Sequence, residues 1–240
     1  MIKLIKRFSQ GPAGARCLLP RPALRELAEL AAASLVAAVV GLSLYLDARQ
    51  AFRLTPGQIV VLSIGTFLIH DLAHRSCARL MGLEGRFRLS LTGSAFSLLI
   101  AGVQNGISIL AANLTAALGL EPVVLKLVPY RFLAPGTVTV TQVCKRPSLG
   151  RVASAGPLTN LALGWALLLL AFVIPCPATR ELAVLASAFN AYTALTAILP
   201  FAFCDGLTIY WWSRKVWAGL LMLSLSLIAI SNAILLTGIL

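Results

Sequence analysis

The chain has 240 residues, of which 59% are hydrophobic and only 12% charged, and its formal net charge is +12 at pH 7. Soluble domains carry about a quarter charged residues, so this composition excludes a water-soluble fold. The basic residues stand in short clusters at the ends of apolar stretches, which is typical of membrane topology signals and of contacts with anionic lipid headgroups. We therefore expect the lipid bilayer as a partner and no nucleic acid.

Long stretches without charged residues predict the membrane spans, because about 20 apolar residues cross the hydrocarbon core. Five such stretches are clear, and a sixth apolar region is less regular. The clear stretches are Leu30–Leu46, Ile59–Ile69 with its continuation into a histidine-containing segment, Val152–Pro175, Leu182–Cys204 and Val216–Leu240, and the less regular region is Ser94–Leu120. The predicted fold is an all-α multi-pass membrane protein with five or more transmembrane helices. It divides into a basic cytoplasmic tail over residues 1–26 and one transmembrane domain over residues 27–240.

The basic clusters also predict the topology, because cytoplasmic ends of spans are enriched in Lys and Arg. The N-terminus is then cytoplasmic in a cytoplasmic membrane, and so are the arginines after the second span, the cluster Lys145–Arg151 and the pair Arg214–Lys215. The segment between Arg88 and Lys145 must therefore cross the membrane an even number of times. It does so either as two passes or as a re-entrant hairpin.

Part of that segment is predicted to be β-structure. Arg86–Leu91 alternates crudely in polarity, and Pro135-Gly136 is followed by the β-branched run Thr137–Val140, which favours strand over helix. Non-helical backbone at membrane depth is tolerated only where it is buried in protein or lines a wet cavity. Two interpretations stay open: an ordinary interfacial loop, or a membrane-embedded β segment beside a cavity that admits water.

The polar residues of the spans point to a metal site. The chain has two histidines, His70 and His74, and their i, i+4 spacing places both imidazoles on one face of a helix, where they can bind one ion. Asp71 follows the first histidine, where HExxH zinc hydrolases carry the general base. Asp205 ends a charge-free span, where a bare carboxylate costs about 2.5–3.5 kcal/mol and calls for a cationic or metal partner. We predict one zinc per chain, held by His70, His74 and Asp205 with a water as the fourth ligand.

Three other interpretations of these residues are kept open. Cys204 is a competing soft ligand beside Asp205, although a buried cysteine more often behaves as a small apolar side chain. Two histidines four residues apart also arise by chance. Asp205 alone could be an interfacial residue near Arg214.

Three motifs in order resemble those of the site-2 protease family of intramembrane zinc metalloproteases, particularly its compact prokaryotic members. His70–His74 (HDLAH) resembles the family's HExxH, Gly156–Asn160 (GPLTN) its GPxxN, and Leu199–Gly206 (LPFAFCDG) its LPxxxxDG. The resemblance covers about Ile59 to Trp217. It implies a catalytic core over about 59–212, with His70, His74 and Asp205 as zinc ligands, Asp71 as the catalytic general base, and Asn160 and Asn190 as polar groups of the active site.

Two departures from the family pattern bear on activity. Asp71 replaces the family's glutamate, and Ala197 stands where an asparagine is usual. An aspartate reaches about 1.5 Å less far than a glutamate, and a misplacement of about 1 Å can cost about 10²-fold in rate. The predicted function is therefore an intramembrane zinc metalloprotease that cuts transmembrane segments of membrane proteins. The alternatives are a weak or inactive zinc-binding adaptor and an ion- or proton-relay transporter.

Hydrolysis of a transmembrane segment also requires that the substrate be unwound, because helical hydrogen bonds and side chains shield the scissile carbonyl. A strand added to the β structure near Phe87–Leu91 would hold the substrate extended.

Overall fold

The structure is a computed structural model that describes residues 21–48, 51–52, 54–120, 127–140 and 145–238. Most of the predicted basic tail, together with Cys17 and Cys144, lies outside these residues. The described chain forms seven helices and two strands. In order they are α1 (Arg21–Ala48), α2 (Pro56–Leu80), β1 (Gly85–Leu89), α3 (Leu91–Ala117), β2 (Gly136–Val140), α4 (Arg146–Ala171), α5 (Pro177–Ile198), α6 (Asp205–Trp212) and α7 (Arg214–Thr237).

The protein is an all-α multi-pass membrane protein. In the described chain six helices, all except the short α6, are long and apolar enough to cross a membrane. The region expected to be less regular is a complete 27-residue helix, α3. Helix starts carry recognisable local signals: Thr55 forms a capping box with Gln58 at α2, and the Ser90 and Ser213 side chains cap α3 and α7. Each accepts a hydrogen bond from a backbone N–H that the first turn leaves unpaired.

Two predicted spans have different boundaries in the structure. α4 begins at Arg146, six residues before the predicted start, and Pro157 lies inside the helix. α5 ends at Ile198, and the predicted continuation to Cys204 is wrong. The reason is Pro200, which disfavours helical backbone at the residue before it. Asp205 is consequently the first residue of a separate short helix, α6.

The two strands form an antiparallel pair that runs from Gly85 opposite Val140 to Leu89 opposite Gly136, as the β-branched pattern predicted. The outer edge of β1 is covered by α1: the Phe87 N–H donates to the Glu26 carboxylate at 2.9 Å. The Leu89 N–H likewise donates to a Glu29 carboxylate oxygen, at 3.2 Å. The expectation that a substrate strand pairs near Phe87–Leu91 is therefore wrong for this edge.

Residues 127–135, the return segment, run in extended conformation back along α3. The Tyr130 carbonyl accepts from Gln104 in the middle of α3, whereas the Ala134 N–H donates to Ser97 nearer its start. The Pro135 carbonyl then accepts from the N–H of Ser90, at the first turn. α3 therefore begins, and the return segment ends, at the same end of the bundle. This agrees with the even number of crossings that the basic clusters predict. Side chains of neighbouring helices supply the hydrogen bonds that an extended chain at membrane depth lacks.

Arg131 ties the return segment to α1 and α3. Its guanidinium is 1% exposed and is ion-paired with Asp47. It donates to further acceptors on four other residues, namely Ser43, Gln104, Asn105 and the neighbouring Tyr130. A buried charge is tolerated only when it is paired and hydrogen-bonded in this way.

The basic clusters meet at one end of the bundle. The first turn of α4 packs on α6, where the guanidinium of Arg146 lies 5.8 Å from the ring centroid of Trp211. The second turn of α4 reaches the end of α2, since the Cys77 thiol lies 3.7 Å from the Arg151 carbonyl oxygen. The ends of α2 and the starts of α4 and α7 therefore share one side, as the topology required.

Candidate metal centre

Three donor atoms from α2 and α6 converge beside α4. The Nε2 atoms of His70 and His74 lie 3.0 Å apart. The Oδ2 atom of Asp205 lies 3.3 Å from the first nitrogen and 3.2 Å from the second. A tetrahedral zinc ion with bonds of about 2.0–2.1 Å separates its ligand atoms by about 3.3 Å. The spacing of the three donors therefore fits a zinc ion.

A carbonyl sets the ring nitrogen that His74 offers to the site. Its Nδ1 lies 2.7 Å from the Val152 carbonyl oxygen in α4, and a carbonyl can only accept, so Nδ1 carries the hydrogen. The Nε2 lone pair of His74 then points at the other two donors. Such a backbone partner is the usual support of a metal-binding histidine.

The Asn160 carboxamide sets which ring nitrogen His70 offers to the site. The Nδ2 atom of this carboxamide lies 3.1 Å from His70 Nδ1. The buried Oδ1 atom has no hydrogen-bond partner among the described residues. The oxygen and nitrogen of a carboxamide exchange by a half-turn, so the assignment follows from the hydrogen bonds. With the oxygen toward the ring, His70 Nδ1–H donates and its Nε2 lone pair also faces the site. Two such lone pairs 3.0 Å apart repel each other unless a cation lies between them.

Two glycines allow the helices to approach this closely. A Cβ at Gly156 would lie 2.3 Å from His74 Nε2 and 2.6 Å from His70 Nε2, so only glycine lets α4 pack on the imidazoles. A Cβ at Gly206 would lie 1.9 Å from the Ile198 carbonyl oxygen. That second glycine lets α6 fold against the end of α5, which brings Asp205 to the histidines. Sequence alone assigned neither glycine this packing role.

The two candidate ligands at the start of α6, Cys204 and Asp205, differ in charge. The Asp205 carboxylate lies within 3.3 Å of the Nε2 atoms of both imidazoles, so its oxygen faces the same point as the two nitrogen lone pairs. Burial and the neighbouring carboxylate raise the pKa of Cys204 to about 12. Because metals bind the thiolate and not the thiol, the carboxylate is the better donor. Among the described residues, His70, His74 and Asp205 place their donor atoms close enough to share one ion, and Cys204 does not belong to this group.

Asp71 is placed differently from the three donors. It is buried on α2, and the Nε of Arg75 lies 2.7 Å from its carboxylate. The same guanidinium lies 3.0 Å from Glu26 of α1. The i, i+4 spacing of Asp71 and Arg75 was the sequence signal for this pair. The catalytic role of Asp71 stays a prediction.

The described contacts of Asn190 do not include the three donor residues. Its carboxamide donates to the Ala186 carbonyl of its own helix at 2.9 Å. The neighbouring positions on α5 are the ones that border the site. Thr193 and Ala197 line a cavity of about 30 Å³ whose wall also includes His70 and Asp205. A water needs about 10–15 Å³, so the cavity has room for two or three waters next to the donors.

Comparison with known proteins gives one distant relationship. A protein of Methanocaldococcus jannaschii named "Putative zinc metalloprotease" is 29% identical over 164 residues, which are 67% of this chain and 73% of the relative. No protein-family model matches the chain, and no solved structure matches it. The relationship supports a metalloprotease family, and the three converging donors agree with zinc as its metal.

Proposed function

We propose that this multi-pass membrane protein is an intramembrane zinc metalloprotease of the site-2 type, which cuts transmembrane segments of membrane proteins. One observation supports the proposal most strongly. His70, His74 and Asp205 bring three donor atoms within 3.0–3.3 Å of one another among helices of membrane-spanning length. The hydrogen bonds that orient both imidazoles are those that a metal site needs and that helix packing alone does not.

In the proposed reaction the metal ligands, the cavity and Asp71 have separate roles. A zinc ion held by His70, His74 and Asp205 would lower the pKa of a water to about 7 and would polarise the scissile carbonyl. The cavity beside His70 and Asp205 gives that water a place next to the donor atoms. As the water oxygen attacks the carbonyl carbon, Asp71 accepts its proton and delivers it to the amide nitrogen when the carbon–nitrogen bond breaks.

The second strand, β2, is the edge that we propose for the extended substrate. Phe87 and Leu89 turn their N–H groups toward α1, so the pair Phe87–Val138 lacks ladder hydrogen bonds. Val138 accordingly points its own N–H and carbonyl away from β1. β2 also borders the metal centre, since the Thr137 hydroxyl lies 3.4 Å from the Asp205 carboxylate. Main-chain bonds to such an edge hold a peptide extended.

Metal analysis beside a cleavage assay tests the proposal. We expect one zinc per purified chain, lost in a folded variant that carries His70→Ala and His74→Ala, and zinc-dependent cutting of a reporter transmembrane substrate. Near-stoichiometric zinc in that folded double variant would sink the ligand assignment. Zinc-loaded protein that cuts no transmembrane substrate would instead favour an adaptor, and absence of zinc would favour an ion relay.

The adaptor is the second candidate because of Asp71. Its carboxylate is shorter than a glutamate and is engaged by Arg75, so a zinc-bound protein that holds substrates without cutting them has a structural basis. Under either function we propose that the protein lies in the cytoplasmic membrane. Its N-terminus and the end of the bundle that carries Arg79, Lys145 and Arg214 then face the cytoplasm.

A further inference from the structure

Four phenylalanine rings from three separate segments pack together beside the metal centre. Phe96 comes from α3, Phe132 from the return segment, and Phe201 and Phe203 from the loop before α6. Five pairs of their ring centroids lie 5.6–6.5 Å apart, which is the range of favourable aromatic packing. We name these four residues the phenylalanine shelf.

The shelf joins the cavity of the metal centre to the surface of the bundle. Phe203 lines that cavity together with His70 and Asp205. Within the shelf Phe132 is buried, whereas Phe96 and Phe201 are 41% and 42% exposed. The rings therefore form a supported apolar surface that starts at the cavity wall and opens outward.

A substrate segment at this centre needs such a surface. The cavity beside the donors, about 30 Å³, admits water and not the side chain of a leucine or phenylalanine. Side chains of an extended peptide alternate in direction and advance by about 3.3 Å per residue. A transmembrane segment is mostly large apolar residues, so those next to the scissile bond must be accommodated outside the cavity but adjoining it.

We propose that the phenylalanine shelf is a subsite that binds a large apolar side chain of the substrate next to the bond that is cut. The inference rests on the proposed function and adds a substrate preference to it. Phe201 and Phe96 contact the substrate side chain from the exposed side, and Phe203 places that contact next to Asp205. The preferred substrates carry leucine or phenylalanine at this position, and small or polar residues there are cut poorly.

The test uses zinc-loaded, full-length protein in detergent and reporter transmembrane substrates that differ only at the positions flanking the cut. We expect kcat/KM to be about 10- to 100-fold higher for leucine or phenylalanine than for alanine at one of these positions. Phe201→Ala and Phe203→Ala should each flatten this preference while the zinc content stays the same. Phe203→Leu, which keeps an apolar side chain, should restore most of it.

Phe172→Ala is the matched control, because Phe172 is an exposed phenylalanine at the end of α4 and far from the shelf. An unchanged preference in Phe201→Ala, Phe203→Ala and the exposed Phe96→Ala variant would overturn the inference. An equal loss in Phe172→Ala would also overturn it, since lipid contact alone would then explain the effect. Wild-type protein that cuts none of the substrates would refute the proposed function itself, which is a distinguishable result.

Discussion

At Gly156 a single methyl group decides whether α4 can pack on the histidine pair. A Cβ there would lie 2.3 Å from His74 Nε2, so we expect Gly156→Ala to displace the imidazoles and to lower zinc affinity by about 10- to 100-fold. Competition with a chelator measures this affinity. Gly65→Ala on α2 is the control, because a Cβ at Gly65 meets no atom within 4 Å. Equal zinc affinity in both variants would contradict the close packing of α4 on the site.

The side chain of Asp71 has a different test, because its proposed role is in proton transfer and not in metal binding. Asp71→Asn should keep zinc and lower kcat by about 10²-fold or more, since a neutral amide cannot accept the proton. Asp71→Glu should keep zinc and leave cleavage unchanged or raise it, because the longer side chain matches the reach of the usual base. Single-turnover cleavage with parallel metal analysis measures both. An Asp71→Asn protein that cuts as fast as the parent would place the base elsewhere.

Among the elements, the return segment depends on polar side chains far from the metal. Arg131→Gln removes a buried charge and leaves Asp47 without its partner, so we expect the free energy of unfolding to fall by about 3 kcal/mol. Thermal unfolding in detergent micelles measures the loss. Adding Asp47→Asn should cost less than the sum of the two single changes, because both remove the same ion pair.

The exposed Arg151 provides the control for that experiment, and Arg151→Gln should leave the unfolding free energy within about 0.5 kcal/mol of the parent. Strictly additive effects of Arg131→Gln and Asp47→Asn would show that the ion pair does not hold the return segment. Between Arg88 and Lys145 the sequence predicted an even number of crossings and β-structure, but it did not point to Arg131. The residues whose side chains Arg131 contacts lie 26 to 88 residues away in the chain, where no local pattern points to them.

For the whole molecule, the testable feature is that one end of the bundle carries the basic clusters. In a protein without native cysteines, single cysteines replacing Arg79, Lys145 and Lys215 should all react with an impermeant thiol reagent from the same side of the membrane. A cysteine replacing Ala178, at the start of α5 and the opposite end of the bundle, should react from the other side. All four positions are exposed. Labelling of Lys145→Cys from the side opposite to Arg79→Cys would rule out the even crossing by α3 and the return segment.

Several features of this protein follow from the sequence by itself. Low charge and long apolar stretches determine the membrane class, and the β-branched run Thr137–Val140 determines a strand. The spacing of His70 and His74 determines that two imidazoles share one helix face. These properties are local: each depends on neighbouring residues or on one helical turn, which a single stretch of sequence contains.

Only the tertiary structure decided how those parts meet. It placed Asp205 on a separate helix against both imidazoles, Asn160 behind His70, and an extended segment instead of a second helix beside α3. It also left Asn190 within its own helix contacts and paired Asp71 with Arg75. The contacts of Asn190 and Asp71 lie within one turn of their own helices. The other arrangements depend on which elements pack together and how closely. That is determined by complementary surfaces, such as the bare backbone at Gly156, between residues tens of positions apart in the chain.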